Sequence, residues 1–189
     1  MNCAIIVENR QLAGLQRIID RHMKFLPGWD LKHHSPQWIR SGHDYNTYLT
    51  TRSFWEELIQ YERVLIFQAD SMILRSGIDE FMEYDFIGAP IYHIPFPAMN
   101  GGFSLRNPRA MLQCLDFREW SSVHGNEDIS YCHILESING NLPTKEIATK
   151  FSVESLFSLG SFGIHQIHSY LSPQQCNQIL NQYDKIGTY

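Results

Sequence analysis

Four consecutive apolar residues, Val64-Leu65-Ile66-Phe67, run without interruption into Gln68-Ala69-Asp70-Ser71. Such a run predicts a strand buried on both faces, and a sheet of such strands needs helices on both of its sides. Residues 3–7 show the same pattern and end at Glu8. Between these runs the spacing changes: Leu12, Leu15, Ile18, Ile19 and Met23 recur at helical intervals until Pro27-Gly28 breaks them. Residues 29–32 predict a second strand, 85–89 and 100–106 two more, and 78–84 a short helix. Ser53 and Glu56 stand at the spacing of a capping box. Asn107 is placed to cap a helix with Pro108 in its first turn, where a missing N–H costs nothing. Helical signals return over 127–135 and over about 172–184, and Pro90, Pro95 and Pro97 predict a long loop over 90–99. Strands alternating with helices give an α/β fold: one domain over 1–189, with a mostly parallel central sheet in a three-layer sandwich.

Composition narrows the functions open to such a fold. With 43% apolar and only 19% charged residues the chain can bury a full core, which excludes disorder. Twenty acidic against fifteen basic residues leave a net charge of −5, against a general grip on nucleic acid or an anionic membrane. A phosphate-bearing ligand would therefore need a local device: a metal ion, a helix N-terminus or a few placed cations. No apolar run reaches the ~18 residues of a membrane span. The N-terminus reads as a first strand and not as a signal peptide. Cys3, Cys114, Cys132 and Cys176 are scattered without a C-x-x-C pair, which suits reduced thiols and a cytoplasmic location.

Four constellations could carry chemistry. Asp70 follows a buried strand directly, and in open α/β sheets ligands bind beyond the carboxyl ends of the strands. Its oxygens suit Mg²⁺ or Mn²⁺ bridging to a diphosphate; equally, it could cap the following turn. Gly101-Gly102 allows a ligand to approach the backbone closely, or a plain bulge or turn. Glu127 and Asp128 open a helix, where the macrodipole favours acids on structural grounds alone; in the same crevice one could serve as general base and the other fix a substrate hydroxyl. His165 and His168 have a spacing that zinc uses on helices, but Gly160 and Gly163 argue for loop or strand there. His33, His34, His43, His93 and His133 read as ordinary surface or core residues.

In this order the motifs resemble glycosyltransferases of the GT-A fold. Within that fold the chain is most similar to a poorly characterised glycosyltransferase-like family of bacteria, fungi and large viruses, marked by V-E-P-R, F-W-E, L-I-F-Q-T-D-S, G-G-x-S-L-R, E-D and G-x-H. The matching residues are Val7-Glu8-Asn9-Arg10, Phe54-Trp55-Glu56, Leu65 to Ser71, Gly101 to Arg106, Glu127-Asp128 and Gly163-Ile164-His165, and they cover residues 3–168. The resemblance implies a Rossmann-like GT-A domain in which Val7, Glu8, Asn9, Gln68, Asp70, Ser71, Gly101 and Gly102 bind the donor. Asp70 takes the place of the second acid of D-x-D, with Gln68 where the first would stand. An amide oxygen in place of a carboxylate weakens the hold on a metal.

By the same resemblance Asp128 is the base and Glu127 a hydroxyl clamp, and Asp70 and His165 hold Mn²⁺ or Mg²⁺. Where related sites continue from the histidine into Lys-Pro-Trp, this chain has Gln166-Ile167-His168, so a phosphate-neutralising lysine is absent. The implied reaction moves a sugar, hexosyl or related, from a UDP- or GDP-sugar to a hydroxyl acceptor such as a glycan in polysaccharide biosynthesis, with inversion. At 189 residues the chain is short for such an enzyme. That leaves open a minimal catalytic domain, or one completed by a partner subunit or a second protomer. Two other readings stand beside it: a non-catalytic sugar-nucleotide or glycan-binding module, and a metal-dependent phosphoesterase using Asp70, Asp128 and His165.

Overall fold

Strand β1 (Cys3–Val7) lies at the centre of the architecture, entirely buried. It pairs in parallel with β2 (Asp30–His34) on one side and β3 (Val64–Phe67) on the other. Strand β6 (Phe103–Arg106) runs antiparallel to β3, and β5 (Phe86–Ile87) antiparallel to β6. The order is β2-β1-β3-β6-β5, with β6 alone reversed, so the central sheet is mostly parallel as expected. The computed structural model describes residues 1–186, with side chains to residue 182; residues 187–189, the end of the expected domain, lie outside them.

The helices follow from the sequence in most places. Helix α1 (Leu15–Met23) starts later than Leu12, after Gly14 at φ 87°. Helix α4 (Pro108–Phe117) begins as expected: the Asn107 side chain accepts from the Arg109 amide and Pro108 occupies the first turn. Helix α3 (Arg52–Leu58) does not use the capping box, because it starts one residue before Ser53, and Glu56 faces Arg52 at 3.9 Å instead. The helix expected over 78–84 shrinks to a 3₁₀ turn at Ile78–Phe81. Helices α2 (Gly42–Leu49), α5 (Glu127–Ser137), α6 (Lys145–Phe151), α7 (Ile167–Tyr170) and α8 (Pro173–Ile186) complete the cover.

A second sheet is what positions the site. It has the order β4-β8-β7, with β4 (Ser71–Ile73) antiparallel and β7 (Ser152–Val153) parallel to β8 (Gly163–His165). Ser71 lies opposite His165 in this ladder, and the Gln166 amide donates to the Asp70 carbonyl at 3.2 Å. The two sheets meet through Phe103, whose ring stacks on Phe151 at 5.4 Å and on Phe162 at 6.1 Å. A Cβ on Gly163 would fall into the Phe103 ring, so only glycine lets β8 approach β6 this closely.

Candidate active site

The cleft opens where the chain leaves β1 and β3, at the carboxyl edge of the parallel strands. It encloses about 620 Å³ and is lined by residues from both ends of the sequence, among them Glu8, Gln68, Asp70, Gly101, Asp128 and His165. Asp70, Asp128 and His165 therefore face one space.

Gly101 and Gly102 form the seam between its two halves. The Gly101 amide donates to Asp128 Oδ2 at 2.7 Å. A Cβ on Gly102 would strike the His165 ring and Gln68, and one on Gly101 would meet Arg106, Asp128 and Glu127. These glycines let the chain's own side chains pack directly against the backbone here.

On one side of the seam lies the start of α5. Asp128 also accepts from the Ile129 amide at 2.8 Å. Burial, with the neighbouring Glu127 charge, pushes its carboxyl up to about 7. That value suits a group that must take a proton near neutrality. Glu127 departs from the expected hydroxyl clamp. Both its oxygens are bound to Arg106, at 2.7 and 2.9 Å, and neither residue has solvent around its charge. Arg106 is further held by Ser104 Oγ at 2.9 Å and lies 4.6 Å from the centre of the Phe86 ring. Glu127 thus holds the wall in place through Arg106.

On the other side Asp70, Gln68 and His165 converge. His165 Nε2 lies 3.0 Å from Gln68 Oε1 and 3.3 Å from Asp70 Oδ1, and Nδ1 lies 3.0 Å from Glu154 Oε1. Burial alone would depress the imidazole, but the carboxylates on its two nitrogens outweigh it and lift it to about 9. Burial likewise opposes ionisation of Asp70, yet His165 keeps that carboxyl below the ordinary carboxylate range. Among the described residues no group of three or more His, Cys, Asp and Glu side chains could hold a metal ion. The donors that do converge are one imidazole nitrogen, one carboxylate oxygen and one amide oxygen, with Glu154 behind the imidazole where an orienting carboxylate belongs. These three are the residues that could hold a divalent cation, its remaining positions being left to a ligand.

Three expected donor residues are placed differently. The Glu8 carboxylate folds back onto Arg10, accepting from its backbone amide and from its guanidinium at 2.6 to 2.8 Å. Asn9 spends its amide on the Pro36 and Ile39 carbonyls, at 3.0 and 2.6 Å. Both line the cleft beside Val7, but their side chains are committed within the fold. Ser71 faces away: its hydroxyl donates to the Gln68 carbonyl at 2.6 Å, meets His22 at 3.2 Å and borders a separate hollow of about 200 Å³. Asp70, in the turn before β4, borders both spaces, whereas Ser71 lines the smaller one and not the cleft.

A model of the family described as "Protein of unknown function (DUF5672)" matches residues 28–165, most of the chain. The chain belongs to this family. A search of curated proteins by sequence finds no match. Solved structures show the fold. A glycosyltransferase involved in the glycosylation of the major capsid of PBCV-1 is similar over 100% of this chain and 99% of its own, with a TM-score of 0.56 at 7% identity. The apo form of the glycosyltransferase GlyE of Streptococcus pneumoniae TIGR4 is similar over 91% of this chain and 55% of its own, with a TM-score of 0.51 at 12% identity. The DUF5672 chain thus spans about half of GlyE and nearly all of the viral enzyme, and shares their mixed α/β fold.

Within this DUF5672 domain several cleft residues carry no sequence signal. Glu154 follows the two-residue strand β7, and Tyr45 and Arg40 reach the cleft through α2 and the loop before it. His168 borders the smaller hollow and not the cleft, so the two histidines do not share a site. No helix among the described residues is long and apolar enough to cross a membrane.

Proposed function

We propose that this DUF5672 chain, as one domain over residues 1–189, is a glycosyltransferase. It moves a sugar, hexosyl or related, from a UDP- or GDP-sugar to a hydroxyl acceptor in glycan or polysaccharide assembly, with inversion. The observation that carries this reading is the seam: Gly101-Gly102 sets Asp128, titrating at about 7, against the Gln68–Asp70–His165 group in one cleft.

The chemistry divides along that seam. The acceptor oxygen forms a bond to the anomeric carbon as the bond from that carbon to the diphosphate oxygen breaks, and the bonding pair leaves with the diphosphate. Asp128 takes the acceptor proton; its two backbone donors hold the carboxylate ready to receive it. Arg106 and Glu127 fix the start of α5, so the base does not drift. Glycine at 101 and 102 lets the two halves close on each other across the seam. Asp70 and His165, with Gln68, would hold a Mn²⁺ or Mg²⁺ ion, which when bound supplies positive charge to the leaving diphosphate. Two strong ligands and one amide oxygen make that hold weak without nucleotide and firmer with it.

The test is a transfer and hydrolysis assay with a panel of UDP- and GDP-sugars, with and without Mn²⁺, on the whole chain. Turnover that releases nucleoside diphosphate and yields a product of inverted anomeric configuration is expected. Binding without turnover would instead make it a non-catalytic module. Free phosphate from simple phosphoesters would make it a phosphoesterase, and a retained configuration would remove Asp128 from the role of base.

A further inference from the structure

A diphosphate brings negative charge into a cleft already lined by Glu8, Asp70, Asp128 and Glu154. Most of the nearby cations are already neutralised. Arg10 is clamped by Glu8, His165 stands between Asp70 and Glu154, and Arg106 is buried against Glu127. The residues that follow His165 directly, Gln166-Ile167-His168, include no lysine.

Arg40 differs. Among the described residues it is the cleft-lining cation whose guanidinium has no hydrogen bond or ion pair to the protein; its one polar tie is its backbone amide, which donates to Asp44 at 2.8 Å. Its backbone is nonetheless held on both sides. Asn9, at the end of β1, binds the Ile39 carbonyl at 2.6 Å, and Ser41 caps α2 by accepting from the Asp44 amide at 3.1 Å. The loop is thus pinned to the carboxyl edge of β1 while the charged end of Arg40 stays uncommitted.

We propose that Arg40 binds the diphosphate of the nucleotide donor and supplies the neutralising charge that a lysine directly after His165 would give. This rests on the glycosyltransferase reading above. A guanidinium can address two phosphate oxygens at once, with a geometry a lysine cannot copy. The Asp44 carboxylate close by offsets part of the attraction and holds the effect to about tenfold in affinity, against the larger losses of a buried bidentate contact.

The experiment is isothermal titration calorimetry of the whole chain with UDP and with GDP, each in the presence of Mn²⁺. Arg40→Ala is expected to weaken binding of the preferred diphosphate about tenfold with an unchanged melting temperature, Arg40→Lys to recover part of it, and Arg10→Ala to lose less. Equal affinities for Arg40→Ala and wild type, or a larger loss in Arg10→Ala, would overturn the assignment. Should Arg40→Ala lose the fold, Arg40→Gln carries the same comparison. A wild-type chain that binds neither diphosphate would sink the transferase reading, and the role of Arg40 with it.

Discussion

The two halves of the cleft use charge in opposite ways. On the α5 side Arg106, Glu127 and Asp128 are buried, and each has its partners inside the protein. On the β3 side the Asp70 side chain is half exposed, and the Gln68 and Asp70 oxygens converge on one imidazole nitrogen. A dry ion pair contributes little net stability but is costly to break, because one partner is then left buried and alone. A half-open carboxylate costs the fold little to lose and is free to meet a ligand. The first half is built for position, the second for binding, and substitutions should separate them.

The largest effect is expected from breaking the dry side. Glu127→Ala strands Arg106 among Trp55, Phe86 and Tyr131, and should cost about 3–5 kcal/mol, read as a fall in melting temperature of roughly 10 °C. If Glu127 were a substrate clamp instead, the fold would survive and acceptor KM alone would rise. Asp128→Asn keeps the shape and removes the base, so kcat should drop about 10²- to 10⁴-fold with diphosphate affinity unchanged. An asparagine can accept only one of the two backbone N–H bonds, which should cost about 1 kcal/mol at pH 4. A carboxyl raised to about 7 disfavours folding as pH rises from the ordinary carboxylate range through 7, and the asparagine escapes that loss. Thermal melts at pH 4 and pH 8 check the sign: the deficit of Asp128→Asn should shrink or reverse at the higher pH. On the wet side, Asp70→Ala should weaken Mn²⁺-dependent UDP or GDP binding about 100-fold, near 2.7 kcal/mol, while its melting temperature falls by only about 3 °C through the ion pair lost from His165.

The same contrast explains what the sequence disclosed. The buried strands β1 and β3 were legible because an unbroken apolar run needs no partner to be recognised, and the acid after β3 marks the carboxyl edge by topology alone. The second sheet was not. Its strands are two or three residues long and carry no periodicity, so nothing local says that His165 lies beside Gln68, 97 positions earlier. Glu127 shows a related limit: nothing near an acid at a helix start says that Arg106, 21 residues away on β6, binds both its oxygens. Ser71 turns its hydroxyl to the Gln68 carbonyl and to His22, 49 positions earlier, a tertiary setting that its sequence neighbours do not reveal. Residue patterns singled out His165 only together with His168, the GT-A resemblance set it beside Asp70, and neither reached Glu154 or Arg40.

The smallest effect tests whether the wet side is tuned as well as open. His165 has a carboxylate on each nitrogen, and only Glu154 is buried with it. Glu154→Gln keeps a hydrogen-bond acceptor at Nδ1 and removes the charge, so in the metal-free chain the imidazole should titrate about one unit below its value of about 9, a change worth roughly 1.4 kcal/mol. The sign follows from the raised value. Protonated His165 stabilises the fold fully below the ordinary histidine range, and that contribution is lost as pH climbs through 9. Wild type should therefore lose stability between pH 6.5 and 9, and Glu154→Gln should lose less, by about the same 1.4 kcal/mol. Imidazole NMR titration reads the shift directly. An unmoved titration would mean that Asp70 alone sets the imidazole, and that the buried carboxylate only orients the ring.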